Sequence, residues 1–219
     1  MRTKTLLAAA ILSAGIASSM AQTSQNVVGY VNKVFTGGGR YTAVANPLNS
    51  TNDTVGGLGL KTLLPSGSKI LKWNTGIVNF NIYSKITASV WSPDPAAVTV
   101  NPGEGILVFV PAASGDLTNV FLGQVMQGSL TTPVPAGFQM VSSQVPQTDR
   151  IDVLGLVPPT GSKIYKFNSL LGTAGNWAIY SKITASVWSP SQPTNSIAEG
   201  IMSYNSGAAF NWTRNFTVQ

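Results

Sequence analysis

Apolar and polar side chains alternate along much of this chain with a period of two. Ile82, Ser84, Ile86, Ala88 and Val90 fall on one side, and Tyr83, Lys85, Thr87, Ser89 and Trp91 on the other. Successive side chains of a strand point to opposite faces, so this pattern with its many β-branched residues predicts a strand. Pro93 ends it, because proline has no N–H to give a ladder. Gly105 to Val110 is a short continuous apolar run, as expected of a strand covered on both faces. Val27–Phe35, Tyr41–Ala45, Lys69–Trp73, Val120–Met126 and Phe138–Ser142 are further predicted strands, separated by turns such as Gly37-Gly38-Gly39 and Asn101-Pro102-Gly103. Helical periodicity is confined to Leu58–Leu64, enough for one short turn.

The pattern occurs twice. Ile82 to Pro93 returns unchanged as Ile179 to Pro190. Upstream, Pro65 to Asn74 corresponds to Pro159 to Asn168, and downstream Gly103-Glu104-Gly105-Ile106 corresponds to Ala198-Glu199-Gly200-Ile201. Landmarks in conserved order mark a tandem duplication of a unit of about 95 residues. The second copy carries a longer loop between Ser169 and Ala178. The spacing predicts an all-β protein: two β-sandwich or small-barrel repeats, each of six to eight short strands, packed together. Their junction is expected near Gly128–Pro135, with the first repeat over 22–130 and the second over 131–219.

Residues 1–21 read as a cleaved secretory signal. Arg2 and Lys4 precede an apolar stretch from Leu6 to Ile16, and Ser19-Met20-Ala21 fits the small-x-small cleavage rule. The apolar run is shorter than the roughly 20 residues that cross a bilayer. The expected location is therefore exported: periplasmic, extracellular or at the cell surface.

Composition then narrows the chemistry. The sequence has no Cys and no His. Disulfide stapling, thiol redox, His-ligated zinc and Ser-His-Asp hydrolysis are excluded. Charged residues make up only 9% of the chain, against roughly 25% in average proteins. A weakly charged β surface has little defence against association. The formal net charge is +6, but Lys and Arg are scattered singly, so no nucleic-acid footprint is expected.

At this point the residues carry a resemblance. Asn26-Val27-Val28-Gly29-Tyr30-Val31-Asn32, Ala45-Asn46-Pro47-Leu48-Asn49, Lys72-Trp73-Asn74, Asn101-Pro102-Gly103-Glu104-Gly105, Gln127-Gly128-Ser129-Leu130 and Pro135-Ala136-Gly137-Phe138 follow in order. The chain resembles uncharacterised exported all-β repeat proteins of verrucomicrobial and related bacteria. The resemblance spans nearly all of the chain after residue 21. It implies export and an all-β fold, and it assigns no catalytic residue. The second copy departs from the pattern at Ile197-Ala198-Glu199-Gly200, which lacks the Asn-Pro-Gly turn.

The candidate binding residues are Tyr83, Lys85 and Trp91, with their twins Tyr180, Lys182 and Trp188. Exposed, two aromatics flanking a lysine would stack on sugar rings or dock a partner; packed, they would cap the core. Glu104 and Glu199, the only glutamates, occupy equivalent turns. Paired carboxylates would suit glycoside hydrolysis only if a pseudo-dyad brought them together, and the simpler reading is a glutamate that binds turn amides. Ser66-Gly67-Ser68-Lys69 and its twin echo a Ser-x-x-Lys dyad without its supporting motifs. Gly56 to Thr62 echoes a phosphate loop without its Gly-Lys pair. No catalytic residue, metal site or cofactor is expected. The expected function is that of a non-enzymatic structural or cell-surface protein that self-associates or attaches to extracellular material. A carbohydrate-binding module is the alternative, and a carboxylate-based glycoside hydrolase a more distant one.

Overall fold

In the computed structural model, which describes residues 27–169 and 176–218, alternation is expressed almost everywhere as antiparallel β structure. The first copy comprises β1 (Val28–Phe35), β2 (Arg40–Ala45), a four-residue helix α1 (Leu60–Leu63), β3 (Lys69–Asn74), β4 (Asn79–Lys85), β5 (Trp91–Ser92), β6 (Gly105–Val110) and β7 (Leu117–Gln124). The second comprises β8 (Gly128–Val134), β9 (Gly137–Val141), β10 (Asp149–Arg150), β11 (Lys163–Asn168), β12 (Asn176–Lys182), β13 (Trp188–Ser189), β14 (Thr194–Asn195), β15 (Ile201–Asn205) and β16 (Phe210–Phe216). The helical turn expected within Leu58–Leu64 is α1. The expected signal segment lies outside the described residues. Among the described residues, no helix is long and apolar enough to cross a membrane.

Each copy is a five-stranded sheet closed by a two-stranded ribbon, and the second adds the short pair β10-β14. The sheets run β2-β6-β3-β4-β5 and β9-β15-β11-β12-β13, and the ribbons are β1-β7 and β8-β16. Each ribbon joins the first long strand of its copy to the last. The stretch 128–135, expected to be a junction, is thus mostly strand β8 of the second copy, and the hand-over falls at 125–127.

Between each sheet and its ribbon lies a core, the first of which also takes in Ala198 of the second copy. Phe35, Val44, Leu48, Leu60, Ile70, Ile106, Val108 and Phe121 fill the first, and Val134, Val141, Ile151, Leu156, Ile164, Ile201 and Trp212 fill the second. The other faces of the two sheets pack on each other through Ala43, Leu71, Leu107, Met140 and Met202. β6 is therefore buried on both sides, which explains the unbroken apolar run from Gly105 to Val110.

The copies are related by a pseudo-twofold axis, visible in two matching files of aromatic rings. Phe109, Tyr41, Phe167 and Trp177 follow one another with centroids 4.9, 6.2 and 5.0 Å apart. Tyr204, Phe138, Trp73 and Phe80 repeat the file at 4.9, 6.1 and 5.0 Å. Both files cross from one copy to the other. Backbone bonds do the same: Ala45 N–H donates to Ala198 O (3.2 Å), and Ser142 N–H to Gly103 O (2.9 Å).

The twelve-residue identity differs from its expected form. It is a hairpin, not one strand. β4 ends at Lys85, Ile86 N–H donates to Val90 O (2.8 Å), and β5 returns with Lys85 opposite Trp91. Thr87 Oγ1 accepts from Val90 N–H (3.2 Å) and closes the turn. The second copy repeats this with Ile183, Val187, Thr184, Lys182 and Trp188. Period-two alternation continues through a tight turn, so the pattern alone did not betray the reversal.

Candidate functional site

The hairpin turns the Tyr/Lys/Trp face inward. Trp91 and Trp188 are 7% and 9% exposed, and Lys85 and Lys182 are 4% and 5% exposed. Tyr83 and Tyr180 are half-buried against their respective cores. Each ammonium lies over the ring of its cross-strand tryptophan, at 5.7 Å for Lys85 and 5.6 Å for Lys182. Lys85 Nζ also donates to Leu64 O (2.6 Å) and Lys61 O (2.9 Å), and Trp91 Nε1 to Lys61 O (3.3 Å). The end of α1 is thereby tied to the hairpin. Burial lowers the pKa of both lysines; Lys61 adds to this at Lys85, and Asp152 opposes it at Lys182. The lysine–tryptophan pair is buried in both copies, with the carbonyl bonds to α1 added in the first, and its rings offer no platform to a sugar. What faces solvent is the opposite side of the hairpin: Ile82, Ile86 and Val90, with Ile179, Ile183 and Val187, are each about half exposed.

Glu104 and Glu199 each serve their own copy. Glu104 Oε2 accepts from Asn101 N–H (2.9 Å) and pairs with Lys72 at 3.2 Å. Glu199 Oε2 accepts from Ser196 N–H (2.8 Å) and pairs with Lys166 at 3.2 Å. Although the axis brings the two turns close, each carboxylate is engaged by a turn amide and a lysine.

Two open regions stand out among the described residues. A cleft of ≈ 650 Å³ lies between the Asn101–Glu104 turn of the first copy and the β8-β16 ribbon of the second. Its walls include Thr75, Glu104, Gln139, Gln144, Pro133 and Phe210. The amide oxygens of Gln139 and Gln144 are buried behind this wall and have no hydrogen-bond partner. The second region is the outer side of the β1-β7 ribbon. Val28, Tyr30 and Val34 on β1 are 73%, 72% and 50% exposed, and Val120 and Leu122 on β7 are 48% and 62% exposed. The pairing sets Tyr30 opposite Leu122 and places these side chains together in one apolar patch. Sequence reading found β1 and β7 as strands, but their outward faces became legible only once the ribbon pairing was known.

The second copy shows the same face in a polar version. With the ribbons matched through their registers, Tyr30, Asn32 and Val34 correspond to Ser129, Thr131 and Pro133. Thr118, Val120 and Leu122 correspond to Asn211, Thr213 and Asn215. Comparison of the chain with known families, curated proteins and solved structures gives no match.

Proposed function

We propose that this is an exported, non-enzymatic structural or surface protein that self-associates through the outer face of its β1-β7 ribbon, and that it belongs with the exported bacterial β-repeat proteins it resembles. One observation carries the reading: the ribbon face of the first copy carries Val28, Tyr30, Val34, Val120 and Leu122 beside Asn32 and Thr118, whereas that of the second is built of Ser, Thr, Pro and Asn. Since the same fold closes with a polar face, folding does not require the apolar one. A flat, uncharged apolar patch suits an isologous contact with the same patch on another copy. The two repeats already pack sheet to sheet within one chain, by the same device. Light scattering coupled to size exclusion over a range of concentrations tests this. A dimer or larger species is expected, and a monomer at millimolar concentration would remove the reading.

A second reading is favoured by the inter-copy cleft. Polar side chains such as Thr75 and Asn211 beside a phenylalanine ring and three prolines are the groups that engage a neutral saccharide, through its hydroxyls and the flat face of its ring. A polysaccharide pull-down with Phe210→Ala as control tests it; equal capture by the variant would count against this cleft.

A further inference from the structure

We propose that the free edge of β7 is an acceptor for an extended, uncharged polypeptide strand, which adds to the β1-β7 ribbon as a third strand.

The register decides which backbone groups are free. Gln124 exchanges both of its backbone bonds with Asn49: Asn49 N–H donates to Gln124 O (2.9 Å) and Gln124 N–H to Asn49 O (2.8 Å). These bonds point away from β1. Antiparallel partners alternate between bonded and non-bonded pairs, so Leu122 and Val120 aim their N–H and C=O groups at the same outer side. No hydrogen bond from the described residues fills those rungs. The Asn49 rung is thus the beginning of a third strand that stops after one residue. The chain turns away because Asp53 Oδ1 gathers Ser50 N–H (3.0 Å), Ser50 Oγ (2.7 Å) and Asn46 Nδ2 (2.8 Å).

An open groove follows where the strand would have continued. Two adjoining hollows of ≈ 520 and ≈ 240 Å³ share Ser50, Gly57 and Leu122. Asn119 lines the second; it is 5% exposed, and its Nδ2 has no partner. A buried donor without an acceptor is costly, so a group that supplies an acceptor here is favoured.

The second copy is an internal control. Trp212 stands where Asn119 does, and its Nε1 donates to Leu154 O (2.7 Å). Gly155 lies so close to the outer edge of β16 that a Cβ on it would be 2.1 Å from Thr213 O. That loop covers the edge. In the first copy the equivalent glycine, Gly59, stands off, with a Cβ there 4.0 Å from Asn119 Oδ1. One edge is covered and its Trp212 donor is met, while the other is open with the Asn119 donor unmet.

The occupant follows from these groups. Alternating free N–H and C=O are matched by the backbone of an extended chain. No charged side chain lines either hollow, which selects an uncharged segment. Its outward side chains would continue the patch of Val120 and Leu122, which selects apolar residues at alternate positions.

A capped octapeptide of alternating Thr and Val is the probe, titrated into the isotopically labelled protein while amide shifts are followed. The expected result is saturable shifts of the Val120 and Leu122 amides, with their hydrogen exchange slowed. Methylating the peptide nitrogens that face β7 is expected to weaken binding at least tenfold. Val120→Pro removes one outward N–H and leaves the β1 ladder intact, and is expected to do the same without lowering the melting temperature much. Absence of binding at millimolar peptide, or equal binding by the methylated peptide, overturns the proposal. The methylated peptide keeps the test independent of whether Val120→Pro folds. The inference does not rest on self-association: the double variant Tyr30→Ser/Val34→Thr changes the ribbon face on β1 alone, and neither residue lines the two hollows, so it separates loss of one from loss of the other.

Discussion

Gly105 and Gly200 meet backbone to backbone at the pseudo-twofold axis. A Cβ on Gly105 would lie 3.1 Å from Gly200 Cα, and one on Gly200 would lie 3.2 Å from Gly105 Cα and 2.8 Å from Val44 O. The two sheets pack this closely because equivalent strands both present glycine at the crossing. Gly200→Ala is therefore expected to lower stability by about 1–3 kcal/mol, since the obstructing atoms are backbone. Gly115→Ala, with no atom within 4 Å of its added Cβ, is expected to stay within about 0.5 kcal/mol of the parent. Thermal melts of the two variants check this, and equal melting temperatures would show that the axis is looser than the geometry states.

The Lys85 clamp makes a different kind of prediction. Lys85→Met keeps the bulk over Trp91, leaves the Leu64 carbonyl without its side-chain donor and leaves the Lys61 carbonyl with Trp91 Nε1 alone. Unmade bonds of that kind cost about 1–3 kcal/mol each, partly offset because the charge no longer has to be buried. The expected outcome is a net loss of stability, read by chemical denaturation. Trp91→Ala should cost more, about 3–5 kcal/mol, as a large side chain is deleted from a core edge. A variant as stable as the parent would return the tryptophan face to the list of surface sites.

Self-association is tested by giving the first ribbon the residues of the second. Tyr30→Ser with Leu122→Asn installs what Ser129 and Asn215 already supply in an equivalent ribbon. The fold is expected to survive and the apparent mass to fall to that of a monomer. An unchanged mass would place the contact elsewhere, with the exposed Ile82, Ile86 and Val90 stripe and its twin the first alternative.

The all-β class, the duplication and most strands were legible in the sequence because each rests on local alternation. β2, β3, β6 and β9 lie within a residue of their expected bounds. The hairpin within the identical segment was not legible. Its turn residues Thr87-Ala88-Ser89 carry no glycine or proline, and alternation across the turn mimics a continuous strand. The orientation of the Tyr/Lys/Trp face was hidden for the same reason, as a strand with large residues on both sides does not say which is covered. The open edge at β7 was beyond reach, since it depends on register and on where Asp53 turns the chain.

Lys33 and Thr132 occupy equivalent places on the inner faces of the two ribbons, opposite Asn119 and Trp212. Burial lowers the pKa of Lys33 from its ordinary value of 10.5; Glu199 opposes the shift and Lys166 adds to it. A lowered folded pKa means that the charged form is disfavoured by folding. Below the folded value, Lys33 is protonated in both states and the whole penalty is present. The penalty shrinks as pH rises from the folded value toward 10.5, and it is gone above that, where both states are neutral. Lys33→Met removes the charge and leaves Glu199 paired with Lys166. The variant is expected to melt higher than the parent at pH 7, with the gap closing as pH is raised toward 10.5. Paired denaturation curves at several alkaline pH values isolate this group, because every other lysine is common to both proteins. A gap that does not change with pH would mean that Lys33 loses little hydration in the folded ribbon, and a variant that melts lower would mean that its attraction to Glu199 outweighs the cost of burial.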